Sequence, residues 1–178
     1  MPFSRTSYFF FLFAFLFAQS AFAQEPTNSE AETKKRYEER IAKSRILGVY
    51  IPKDENDAMK ELDRLIDESS KAKLKAHTEQ EAMKKLHFSF GLWMITNWSF
   101  YEGSRLSAYM RQNGVSYPDD MAEILIACYH RHLNGTSLRF SELCAQYKAS
   151  RDKEFQKNIE KNQIKSLGKV PKDSLRKE

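Results

Sequence analysis

The 178-residue chain is short of the residues that build several classes of protein. It has two cysteines, six glycines and five prolines. Two cysteines exclude a disulfide scaffold and a four-cysteine zinc site. So little Gly and Pro excludes collagen-like and Pro/Gly-rich low-complexity chains. Its longest apolar run, Tyr8 to Ala18, has eleven residues, against the roughly 20 that a membrane-spanning helix requires. HExxH, GxSxG, CxxC and glycine-rich phosphate loops are all missing, so no motif names a reaction and no cofactor or metal is implied. What is present is the composition of an ordered domain: 41% hydrophobic and 30% charged residues, with a formal net charge of +5.

The short apolar run has a recognisable context. A mildly basic start carrying Arg5 precedes it, and Gln19-Ser20 and then Ala21-Phe22-Ala23 follow. This is the order of a secretory signal peptide, so cleavage is expected after Ala23, with a mature start at Gln24. The expected location is periplasmic or secreted, with no transmembrane anchor after cleavage. Residues 24–33 are polar, carry Pro26 and lack periodicity, which reads as a flexible leader.

From Lys34 onward the periodicity is helical, and no strand-like alternation competes with it. A mostly exposed helix is expected from Lys34 to Leu47, stopped at Gly48. Pro52 holds Ile51 extended. Asp54 can cap a helix bearing Ala58, Leu62, Leu65 and Ile66, and Ser69 to His77 reads as a polar connection with room for a helical turn. Thr78 and Glu81 form a capping box. The helix it opens carries Ala82, Met83, Leu86, Phe90, Trp93 and Met94 on one face, with Phe88, Leu92 and Ile95 opposite. Being apolar all round, it is expected to be the central buried helix. Gly103-Ser104 restarts a helix that stops at Asn113-Gly114, Pro118 opens another that ends at Asn134-Gly135, and Ser141 caps the last. The fold class expected is all-α: a single domain at 34–150, of five or six helices, followed by a basic helical or disordered tail at 151–178. That tail holds nine Lys/Arg against five Asp/Glu, while residues 24–150 balance at nineteen of each. A basic tail on a neutral domain is no argument for nucleic-acid binding, and its removal is expected to leave the fold intact.

Several words of the sequence occur in a familiar order: His87 to Leu106, which contains Gly-Leu-Trp-Met-Ile-Thr-Asn-Trp and Gly-Ser-Arg-Leu; Tyr117-Pro118-Asp119-Asp120-Met121; and Tyr129-His130-Arg131-His132-Leu133-Asn134. Together with Tyr50 to Asp54 they resemble an uncharacterised bacterial family, a domain of unknown function, over roughly Tyr50 to Tyr147. That family has Trp-Ile-Arg-Asn-Asn-Trp, Gly-Ser-Arg-Leu, Pro-Asp-Asp-Met and Tyr-His-Arg-x-Leu-Asn segments. The resemblance implies one domain of this type and no activity. It retains Trp93, Asn97, Trp98, Gly103, Ser104, Arg105, Asp119, Asp120, His130 and Arg131. It departs at Ile95-Thr96, where the family has Arg-Asn.

The candidate binding residues are Trp93, Asn97, Trp98, Arg105, Asp119, Asp120 and His132. Six of the fourteen aromatics after residue 23 lie between Phe88 and Tyr101, and they form either core or the wall of a concave pocket. Arg105, near a helix start where the dipole disfavours a cation, calls for a carboxylate, and a clamp to Asp119 or Asp120 is expected. The same two aspartates serve the helix start after Pro118. His132 falls on the apolar face, where a structural hydrogen bond or a site role is open; His130 falls on the polar side as a solvated residue. At i, i+2 the two cannot chelate one metal from an intact helix. Cys128 and Cys144 sit at matching levels around a turn, and a disulfide or two buried free thiols are both open. The function expected is a non-catalytic binding or protein-interaction domain whose partner is a small ligand or an envelope protein. The alternatives are an envelope hydrolase using Asp119/Asp120, His132 or His130 and Arg105, and a periplasmic inhibitor or immunity-type protein.

Overall fold

The computed structural model describes residues 29–167, the last four by backbone alone. The expected signal peptide and cleavage site, the leader up to residue 28 and the tail beyond 167 lie outside the described residues. The chain divides into two units, residues 1–35 and 36–178. Of the first, the described part is the start of helix α1 (Glu30–Ile41), where the Ser29 hydroxyl accepts the Glu32 amide at 3.2 Å. The helix thus begins inside the stretch expected to be a flexible leader.

In the second unit α1 stops at Ile41, six residues before the expected end. The reason is a tight turn in which Leu47 (φ 48°) and Gly48 (φ 82°) are both left-handed. Two consecutive residues at positive φ match the twist of a two-residue hairpin. The flanking pairs Arg45–Ile46 (β1) and Val49–Tyr50 (β2) therefore form a minimal antiparallel ladder, Arg45 opposite Tyr50. This corrects the expectation of no strand. Leu47 at the tip is 97% exposed.

Most local signals downstream act as read; the exception is Ser141, expected to cap the last helix, which lies inside it because that helix already begins at Phe140. Asp54 accepts the Asp57 amide at 2.8 Å and starts α2 (Glu55–Leu65). Thr78 and Glu81 form the capping box of α4 (Glu79–Leu86), and Ser104 that of α6 (Arg105–Gln112). Pro118 is the first residue of α7 (Pro118–Leu133). The polar connection, where a helical turn was allowed for, is a full two-turn helix, α3 (Glu68–Lys75), capped by Asp67. Counting Glu79 to Asn97 as one interrupted rod, seven helices are formed among the described residues, so the domain is mostly α.

The central helix is not the one expected. In α7 every residue from Asp120 to Tyr129 except Glu123 is buried, and the helix packs against α2, α3, α4, α5 (Leu92–Asn97), α6 and α8 (Phe140–Leu167). The Glu79 rod lies beside it with only one side inward. Its middle turn, His87–Gly91, is a π-helix in which the Leu92 amide donates to the His87 carbonyl five residues back. One extra residue in a turn rotates everything after it about the helix axis. Phe88 (83% exposed) and Leu92 (56% exposed), opposite the inward face, meet water, while Ile95, placed on their side by a regular period, lies beyond the π turn in the core with Met94.

Helix α8 runs without a break through Ser150 to Leu167, so the expected boundary at Ser150 falls inside an element. Among the described residues no helix is long and apolar enough to cross a membrane.

Candidate functional site

The π turn and α3 together create a cleft of about 630 Å³. One wall comes from the end of α2 and from α3: Leu65, Ile66, Asp67, Ser70, Lys73 and Leu74. The other comes from the rod: Lys85, Leu86, Phe90 and Trp93, with His77 at the joint. Ile66 is extended (φ −100°, ψ 128°), which breaks the chain direction between α2 and α3. Asp67 then accepts the Ser70 amide at 3.0 Å and the hydroxyls of Ser69 at 2.6 Å and Ser70 at 2.7 Å. Those donors hold its carboxyl well below the usual carboxylate range.

The aromatic cluster is divided between the cleft and the core. Trp93 stacks on Phe90 (6.1 Å, 11°) at the cleft wall and meets Trp98 edge-on (5.8 Å, 70°) on its inner side. Trp98 is fully buried and packs against Phe100, also fully buried. The Trp98 indole N–H has no acceptor among the described residues. Thus Trp93 lines a pocket and Trp98 is core. Asn97 donates to the Trp93 carbonyl at 2.9 Å and is engaged within its own helix.

The charged candidates do not meet. Arg105 donates to the Ile51 carbonyl at 2.6 Å, lies 3.7 Å from Asp57 and sits over the Tyr50 ring at 5.1 Å. The expected clamp to Asp119 or Asp120 is therefore corrected: the partner comes from α2, because Ser104 places Arg105 against the segment after the hairpin. Burial pushes the Asp57 carboxyl up, but the Lys53 amide, the Tyr50 hydroxyl and Arg105 outweigh it, leaving it below its ordinary value. Asp120 is buried and bidentate to Arg151 (2.8 and 2.6 Å). Asp119 is exposed, 4.0 Å from His87. Neither makes a side-chain cap; they act in the first turn through the helix dipole.

His132 is half-exposed, not at the centre of a buried face. Its Nε2 is 2.7 Å from Asp63, whose other oxygen accepts the Tyr129 hydroxyl at 3.2 Å. His130, expected in solvent, is half-buried with Nε2 2.8 Å from the His77 carbonyl. No hydrogen bond or ion pair joins any two of Arg105, Asp119, Asp120, His130 and His132 among the described residues.

Cys128 and Cys144 are buried, unbonded thiols. Burial pushes the Cys128 thiol up to about 12 and that of Cys144 up to about 11. Both should therefore resist Ellman's reagent in the native protein at pH 8 and react in denaturant without reductant. Native labelling would contradict the burial, and failure to label the unfolded chain would reveal a disulfide.

The cleft residues of α3 escaped the reading of the sequence because the segment has few apolar positions. The one available signal was Asp67 followed three residues later by Ser70, a cap pattern ahead of Leu74. A second missed feature is Arg131, bidentate to Glu79 at 2.7 Å for both bonds and donating to the Leu138 carbonyl at 2.8 Å. It ties the end of α7 to the start of α4.

All of α2 to α7 lies within one segment that compares with a known family. Residues 51–133 match the family model described as Domain of unknown function (DUF6794). The matched segment carries both walls of the cleft, Arg105 with its Asp57 partner, and the central helix. It omits the hairpin turn, α1 and α8, and ends short of the Tyr147 limit expected from the resemblance. No curated protein and no solved structure matches the chain.

Proposed function

We propose that this protein is an exported, non-catalytic binding domain that takes a small, largely apolar ligand between α3 and the Glu79 rod. The observation that carries this reading is the cleft itself: about 630 Å³, lined by Leu65, Ile66, Leu74, Leu86, Phe90 and Trp93. That volume lies within the range of about 300–1,000 Å³ usual for small-molecule sites, which are apolar with few polar groups. The hydrolase alternative needs convergence of Asp119, Asp120, His130 or His132 with Arg105, and each of these is engaged with a different partner.

The test is a titration of the purified full chain with 1-N-phenylnaphthylamine, an apolar probe that brightens when desolvated. Saturable one-to-one binding is expected, weakened about tenfold by Trp93→Ala, since an aromatic wall contributes about 1–2 kcal/mol of apolar contact. Leu65→Glu, at a wall position already 40% exposed, should weaken it comparably while leaving the fold intact. Absence of saturable binding, or binding indifferent to both substitutions, would remove the reading.

A further inference from the structure

We infer that the ligand of this cleft is a single-chain amphiphile with a carboxylate headgroup, its chain on the aromatic wall and its head at the lysine rim. The inference rests on the binding reading above and adds the ligand's charge. The apolar lining accounts for a chain and says nothing of a head; the rim does. Lys73 and Lys85 both line the mouth, and neither has a carboxylate within 4.0 Å among the described residues. Lys85 Nζ lies 3.4 Å from His77 Nε2, and its nearby acid, Glu81, is engaged in the capping box with the Thr78 amide and hydroxyl. Among the described residues the only acid in the lining is Asp67, and its oxygens are occupied by Ser69 and Ser70 in capping α3. The lining thus holds two ammonium groups against one charged carboxylate, whose hydrogen-bonding positions are taken by three donors within its own cap.

That asymmetry discriminates among amphiphiles of equal chain. A neutral alcohol would gain the chain contacts alone, and a quaternary ammonium would be repelled by both lysines. A carboxylate gains the chain contacts and two charge-assisted hydrogen bonds. Each partly solvated ion pair is worth a small factor, and two together about tenfold.

The experiment is displacement of bound 1-N-phenylnaphthylamine from the full chain by dodecanoate, dodecanol and dodecyltrimethylammonium, each below its micelle concentration. Dodecanoate should displace at about tenfold lower concentration than the other two. The advantage should shrink as salt rises and vanish in Lys73→Gln/Lys85→Gln, which should still bind the probe and so report its own folding. Equal displacement by dodecanol and dodecanoate would overturn the headgroup assignment while leaving the binding reading intact. The assignment also falls if the probe binds but none of the three displaces it. Failure of the probe to bind at all would remove the binding reading beneath it. Co-sedimentation with phosphatidylglycerol vesicles, without displacement by free dodecanoate, would overturn the assignment in favour of a membrane surface.

Discussion

Trp98→Ala is expected to destabilise the domain by about 3–5 kcal/mol, the range for emptying a fully buried aromatic site. The indole is completely inaccessible, set between Trp93 and Phe100 and part of the same buried core as Met94, Leu106 and Ile124. Backbone constraint limits relaxation around it: Ser99 is at φ 52° and Gly103 at φ 95°. A Cβ at Gly103 would come within 2.5 Å of the Tyr37 ring. A loop so confined cannot collapse far into the cavity, which places the cost toward the upper end. Trp98→Phe should cost much less, because it removes an indole N–H that is buried without an acceptor and so relieves a desolvation cost. Urea unfolding would measure both: the midpoint should fall sharply for alanine and little for phenylalanine, at unchanged slope. Equal losses would mean that the N–H is satisfied, and a loss below 1 kcal/mol for alanine would mean that Trp98 is not core.

The second large effect concerns a residue assigned on sequence to the tail. Arg151→Ala should destabilise by about 2–3 kcal/mol, somewhat below the range for breaking a fully buried pair because Arg151 is itself 39% exposed. The loss arises at the other end. Asp120 has only 7% of its side chain exposed, so without the guanidinium its carboxylate stays in the protein with no countercharge. Asp120→Asn should be milder, since the Arg151 that remains can turn to water, keeps Glu154 at 3.1 Å and still covers the Tyr117 ring at 4.4 Å. Thermal melts of the two variants would show this asymmetry; equal losses would mean that the pair acts symmetrically at the surface. Truncation after Ser150 should behave like Arg151→Ala, contrary to the expectation that the basic segment can be removed freely. The reason is that one arginine near its start belongs to the core's electrostatics.

The contrast between these two sites shows what could be read from the chain. Caps and stops are local, with donors and acceptors a few residues apart, and Asp54, Thr78, Ser104 and Pro118 were legible for that reason. The aromatic face of the Glu79 rod was legible from its period. Two things were not. An inserted residue in a turn leaves no compositional mark, so the π segment that separates buried Ile95 from exposed Phe88 and Leu92 was invisible, and with it the choice of α7 as the central helix. Pairings over long separations were equally hidden: Arg105 lies near Asp119 and Asp120 in sequence but takes Asp57, His132 takes Asp63, and Asp120 takes Arg151. Charge alone offers many partners, and packing selects among them. The cleft combines both difficulties, since one wall was legible as an aromatic stripe and the other is a short polar helix that appears only once the chain folds back at Ile66.

The central claim, that the slot between α3 and the Glu79 rod binds an apolar ligand, is tested most directly by the two indole N–H signals in a ¹H–¹⁵N spectrum. These would be assigned with Trp93→Phe and Trp98→Phe and followed while 1-N-phenylnaphthylamine is added. The expected result is a saturable, one-to-one shift of the Trp93 signal together with the backbone amides of Leu65 to Leu74, with a smaller response from buried Trp98. A Trp93 signal that stays in place while the probe binds, or shifts confined to the outward side at Phe88 and Leu92, would contradict it.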